Sequence, residues 1–86
     1  MSELTSLTNI GKEMASKLIS VGIDTPEKLI ESGSKEAFFK LKEKYPQVCL
    51  VHLYTLEGAV SNVEYNKLSE AKKKELKEYS DKLRGR

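Results

Sequence analysis

Cysteine, histidine and tryptophan are almost missing from this chain: Cys49, His52 and no Trp in 86 residues. A single cysteine excludes an internal disulfide framework, and one cysteine with one histidine leaves a structural metal site short of ligands. Two prolines and five glycines are too few for a linker-rich or disordered chain. No apolar run is long enough to span a bilayer, which needs roughly 18–20 residues, so no membrane contact is expected. Met1 is followed by Ser2 and Glu3 rather than a basic and then apolar leader, so nothing directs export and a cytoplasmic location is expected. No groups stand at the spacing of a nucleophile and its base. Catalysis, a cofactor and a small-molecule substrate are therefore not expected.

What is present is 38% hydrophobic and 33% charged residues, enough for one modest core and one domain over 1–86. A chain of this size buries roughly 60–65% of its unfolded surface. Fifteen basic against thirteen acidic side chains give a net charge of +2, too little to argue for nucleic acid alone. The distribution says more: residues 1–34 sum to −2, 35–47 to +2, 48–66 to −2 and 67–86 to +4.

The pattern along the chain is helical. Leu4 and Leu7 mark a short first helix, with Ser2 as its cap. Met14, Ala15, Leu18 and Ile19 form one face of a second, which Gly22 stops. Thr25-Pro26 supplies a cap and a proline at the first helical position, Leu29 and Ile30 face the core, and Gly33 ends that helix. Ser34 caps a fourth helix with Ala37, Phe38, Leu41 and Tyr45 inward. Val48 to Val60 is apolar nearly all round and reads as the buried central helix. A buried strand competes over 48–54, but the apolar run is too long and no second strand is available to pair with it. A basic helix runs from about 69 to 84, capped by Ser69, with a narrow stripe of Leu76, Tyr79 and Leu83. Glu-to-Lys pairs four apart at 13/17, 36/40, 70/74 and 78/82 each support a helix. The expectation is an all-α, compact single domain of five to six short helices.

Residues 3–20, centred on Leu7-Thr8-Asn9-Ile10-Gly11-Lys12, resemble a helix-hairpin-helix motif. Gly11 is expected to permit a positive φ or a close backbone approach, so valine there should block the turn. Ile10 plugs between the helices and Ala15 lets them cross closely. Asn9 occupies a position where the motif more often has glycine, and asparagine tolerates the left-handed region. Backbone N–H groups of Ile10, Gly11 and Lys12 would face outward as an anion site, with Lys17 nearby and Glu13 opposing. The candidate nucleic-acid-binding residues are thus Asn9, Ile10, Gly11, Lys12 and Lys17. The plainer reading of the same residues is a turn that packs two helices and binds nothing.

A longer resemblance runs over about 3–78. Leu7-Thr8-Asn9-Ile10-Gly11, Val21-Gly22-Ile23-Asp24-Thr25, Leu41-Lys42, Pro46 and Leu53-Tyr54-Thr55-Leu56-Glu57-Gly58-Ala59 together are similar to the C-terminal domain of the TfoX (Sxy) family. Tyr65-Asn66 stands where that family often has tryptophan. Full-length members regulate natural competence beside a cyclic-AMP receptor protein. The resemblance implies a bacterial, cytoplasmic, helix-hairpin-helix-like regulatory module, expected to stand without the family's N-terminal domain.

Lys72, Lys73, Lys74, Lys77, Lys82, Arg84 and Arg86 offer a second basic surface, from which Lys73 and Lys77, with Lys40 and Lys44, are selected as candidates. Consecutive lysines on a helix diverge by about 100°, and Glu75, Glu78 and Asp81 interrupt them, so a solvated helix face is the plainer reading. Phe38, Phe39, Tyr45 and Tyr54 read as core, Phe39 being partly exposed. His52 reads as a core or boundary residue and Cys49 as a small buried hydrophobe. Gly58 costs about 1 kcal/mol of helix propensity, which a close helix crossing would justify, and Glu57 is placed to cap or pair with a neighbour. Two functions remain: a module contacting double-stranded DNA backbone through the turn, and an adaptor docking on a regulatory protein without touching nucleic acid.

Overall fold

A computed structural model describes residues 3–84, with Arg84 in its backbone only. Ser2, the Arg84 side chain and Arg86 lie outside the described side chains. A single 3-10 turn at Glu3–Ser6 leads into α1 (Lys12–Ser20), α2 (Pro26–Lys44), α3 (Leu50–Ser61), a second 3-10 turn at Tyr65–Lys67 and α4 (Glu70–Arg84). Among the described residues there is no strand. The fold is all-α, with four α-helices in place of five or six. The count falls for two reasons: residues 3–6 make only one 3-10 turn, and the two helices expected on either side of Gly33 run on as α2. Gly33 nevertheless breaks the helical path, at φ 84°, ψ 161°, so α2 consists of two limbs.

The helix ends follow the local chemistry. At the end of α1, Ile23 N–H bonds the Leu18 carbonyl at 2.9 Å and Gly22 N–H the Ile19 carbonyl at 3.0 Å. Gly22 at φ 90° makes this left-handed stop, and Leu18 and Ile23 bury together beneath it. Thr25 Oγ1 accepts Lys28 N–H at 3.1 Å to open α2, and Ser69 Oγ accepts Lys72 N–H at 3.1 Å to open α4. Ser34 does not cap: its hydroxyl is buried and donates to Glu57 Oε1 at 2.6 Å.

Leu4, Ile10, Leu18, Ile23, Leu29, Phe38, Leu41, Val48, Leu53, Leu56 and Leu76 form the core, with α3 packed against both α2 and α4. Leu76, Tyr79 and Leu83 do supply α4's apolar stripe. Three expected core positions point outward: Ile19, Ile30 and Val51 are exposed, and beside the first two a buried leucine, Leu18 or Leu29, takes the inward direction. Cys49 is exposed as well, because α3 begins at Leu50 and leaves Cys49 as its N-cap. His52 serves that same helix start. Its Nδ1 accepts Cys49 N–H at 3.0 Å, which closes a reciprocal cap with the Cys49 side chain.

The first turn is held by side chains rather than by a partner helix. Asn9 is the left-handed residue, at φ 73°, whereas Gly11 sits at φ −94° with open space around its Cβ position. Glycine is therefore not required at position 11, and the expectation that valine there blocks the turn is corrected. Asn9 Nδ2 donates to the Val63 carbonyl at 3.0 Å while its Oδ1 accepts Tyr65 N–H at 3.3 Å. Thr8 Oγ1 donates to Asn62 Oδ1 at 2.8 Å beside this pair. Gly58 makes room for the clamp: a Cβ there would collide with Asn9 Nδ2 and the Val63 carbonyl. The close approach at Gly58 is thus by a side chain and a loop, not by a crossing helix.

Gly58→Ala should destabilise the fold by about 2 kcal/mol or more, because a backbone carbonyl cannot step aside. Gly11→Ser should stabilise it by a few tenths of a kcal/mol by adding an N-cap acceptor. Urea denaturation followed by circular dichroism checks both; equal midpoints for Gly58→Ala and the parent would contradict the clamp.

Candidate nucleic-acid interface

The candidate residues divide by what their side chains already do. Asn9 is spent on the clamp and Ile10 is buried, with Ile10 N–H bonded to the Leu7 carbonyl at 3.2 Å. What remains outward at this corner is the start of α1. Gly11 is its N-cap and offers no side-chain acceptor, so the first-turn N–H groups meet no capping side chain. The unpaired N–H ends and the helix dipole make such a terminus attractive to anions. Lys12 and Glu13 are both exposed there, and Lys12 faces no carboxylate within ion-pair distance among the described residues.

The second set of lysines is scattered. Lys40 lies 3.6 Å from Glu36, Lys73 lies 3.9 Å from Glu70 and Lys77 lies 3.1 Å from Asp81. Each is thereby partly neutralised by its own helix. Lys44 belongs elsewhere: its Nζ stands 5.8 Å from the Tyr45 ring centroid and 3.4 Å from the Ser20 carbonyl. Lys17 stands over the same ring at 5.6 Å. The structure therefore places Lys17 and Lys44 at one tyrosine ring and leaves Lys40, Lys73 and Lys77 in separate ion pairs. Phe39 is partly exposed, as expected, and Phe38 is fully buried. Tyr45 and Tyr54 are half-buried at the core's edge.

The sequence reading missed the polar network that holds α4. Glu57 is largely buried and accepts hydroxyl bonds from Ser34 and from Ser61, the latter at 2.9 Å, with Lys72 at 3.9 Å. Lys35 reaches Glu75 Oε2 at 2.6 Å and stacks over Tyr79 at 5.7 Å, while Tyr79 Oη donates to the Lys35 carbonyl at 3.3 Å. Of this set the sequence points only to Glu57 as a pairing residue; its partners Ser34 and Lys72 lie 23 positions before and 15 after it. No group of three or more metal-ligating side chains occurs among the described residues. No helix among them is long and apolar enough to cross a membrane.

The arrangement defines a small all-α domain with an open helix start at one corner and an ion-paired final helix. The sequence model of the TfoX C-terminal domain matches residues 1–79, and the chain belongs to that family. It is similar to the crystal structure of an uncharacterized protein from Listeria monocytogenes in a triclinic form. That likeness has TM-score 0.93 and 48% identity over 95% of this chain and 93% of that one. A tetragonal form of a protein of unknown function from Listeria monocytogenes matches with TM-score 0.91 and 47% identity, over 94% of this chain and 99% of that one. No match was found among curated proteins.

Hydrogen bonds from Lys35, and then from Lys72, hold the Glu75 carboxyl below the usual carboxylate range; the bond from Lys28 does the same for Asp24. Stability from these depressed carboxyls is present above the ordinary carboxylate range and is lost as pH falls through their lowered folded values. Both are solvent-exposed pairs, so the effect on stability is small. Lys35→Met should move the Glu75 titration up toward its ordinary value, as read by carbon-detected NMR; an unmoved midpoint would mean that Lys35 does not govern it.

Proposed function

We propose that this TfoX C-terminal domain is a non-catalytic, DNA-associated regulatory module that contacts the phosphate backbone at the start of α1. The observation that carries this reading is the uncapped first turn of α1 with Lys12 beside it. Phosphate contacts of this kind position a protein on a duplex without reading its sequence. Lys12 supplies charge, the first-turn N–H groups supply direction, and Asn9 and Ile10 contribute by holding the turn rather than by touching DNA. Glu13 opposes a phosphate and limits affinity, which suits a module working beside another DNA-bound regulator.

A second reading is favoured by a different surface. Between α2 and α4 lies an open groove lined by Phe39, Tyr79, Lys35, Glu36, Lys40 and Glu43. An aromatic floor with charges of both signs on its rim suits a protein partner better than a polyanion. An adaptor would dock there with no nucleic-acid contact.

An amide NMR titration with a short duplex, at low and physiological salt, tests the first reading. Shifts concentrated at Gly11, Lys12 and Glu13 and weakening with salt are expected. Lys12→Ala should weaken binding about equally for every duplex sequence and reduce the salt slope by about 1. Absence of any shift at low salt would remove DNA as the partner and leave the groove reading.

A further inference from the structure

Most lysines with a described contact face an acid. Lys28, Lys35, Lys40, Lys72, Lys73 and Lys77 each have a carboxylate oxygen within 4.0 Å. Lys42 does not, its Nζ donating to the Pro46 and Val48 carbonyls at 2.9 and 2.7 Å, and neither do Lys17 and Lys44. Both ammoniums converge on the ring of Tyr45, at 5.6 and 5.8 Å from its centroid, inside the roughly 6 Å range of cation–π attraction. Tyr45 is itself anchored, its hydroxyl 2.8 Å from Ser20 Oγ and its N–H bonded to the Leu41 carbonyl at 2.6 Å. Lys44 adds one bond to the Ser20 carbonyl at 3.4 Å.

Every partner in this cluster is neutral. The aromatic ring and the backbone carbonyl orient the two ammoniums, yet neither cancels their charge. Two uncompensated positive charges at one ring make a locally positive patch, and a polyanion that approaches it is attracted to both. Lys17 lies about 7.5 Å along α1 from Lys12 and about 140° around it, so this cluster is separate from the start of α1.

We propose that Lys17 and Lys44, positioned by Tyr45, form a second contact for the phosphodiester backbone of duplex DNA. The proposal rests on DNA being the partner, but not on the α1 terminus being where it binds. Lys17 and Lys44 touch phosphate; Tyr45 is a positioning residue that fixes where the two ammoniums stand. Phosphate oxygens recognise this geometry without regard to base sequence, so the contact adds affinity and salt dependence rather than specificity.

The test is duplex binding by fluorescence anisotropy over a salt series, with circular dichroism confirming that each variant folds. Lys17→Ala/Lys44→Ala should lower the slope of log affinity against log salt by about 2. Lys28→Ala/Lys35→Ala removes the same formal charge from ion-paired positions and should leave the slope unchanged. Tyr45→Leu should weaken binding about two- to five-fold with the slope retained, since both charges remain but their platform is gone. Equal losses from the two double variants would overturn the proposal in favour of net charge alone. Normal binding by Lys17→Ala/Lys44→Ala, with loss in Lys12→Ala, would overturn it and leave the α1 terminus standing. No binding by the parent protein at low salt would overturn both.

Discussion

The Asn9 side chain is the constraint on which this fold most depends. One amide accepts Tyr65 N–H and donates to the Val63 carbonyl, so its orientation is set by the donors and acceptors it meets. It thereby ties the first residues of the chain to the loop that leaves α3, more than fifty positions away. That bond is open only because Gly58 has no Cβ, and only because Asn9 takes a left-handed backbone conformation. The buried apolar residues supply the driving force for folding, but non-directional burial does not select this loop geometry. Two side chains and one missing methyl group select it.

A second polar set plays the corresponding part for α4. Its apolar stripe of Leu76, Tyr79 and Leu83 is narrow, and non-directional burial does not by itself fix the rotation of the helix about its axis. Glu57 at the centre, gathering Ser34, Ser61 and Lys72, together with the Lys35–Glu75 pair, removes that freedom. The exposed members of the set each contribute little energy. Their geometry also decides which lysines retain charge for a partner. Lys72, Lys73 and Lys77 on α4 and Lys28, Lys35 and Lys40 on α2 are turned toward carboxylates, whereas Lys12, Lys17 and Lys44 are not. A net charge of +2 is thus resolved into places where positive charge is compensated and places where it is not.

Much of the fold was legible from local rules. Gly22, Thr25-Pro26, Gly33 and Ser69 mark boundaries that rest on backbone φ preferences and one-turn hydrogen bonds, and these involve only neighbours in sequence. The exposure of Phe39, the inward Leu41 and Leu76 and the central place of α3 followed from helical periodicity. Periodicity failed where two adjacent apolar residues competed for one inward direction, as at Leu18-Ile19 and Leu29-Ile30. Which of two neighbours faces the core depends on what lies opposite. The candidate site was less legible. Asn9 takes the left-handed conformation expected of it, but the side chain named as a candidate nucleic-acid contact is bonded to partners far along the chain. Gly11 was assigned a conformational role that Asn9 fulfils.

Sequence by itself determined the helical class, the places where helices stop, and the family signature, because each depends on short-range spacing and residue chemistry. Tertiary structure alone decided that Gly58 receives Asn9, that Glu57 meets Ser34 and Lys72, and that Lys17 and Lys44 share one tyrosine ring. Those are pairings between distant positions, and the packing of α2 against α1 and α3, and of α4 against α3, sets the distances at which such pairs meet.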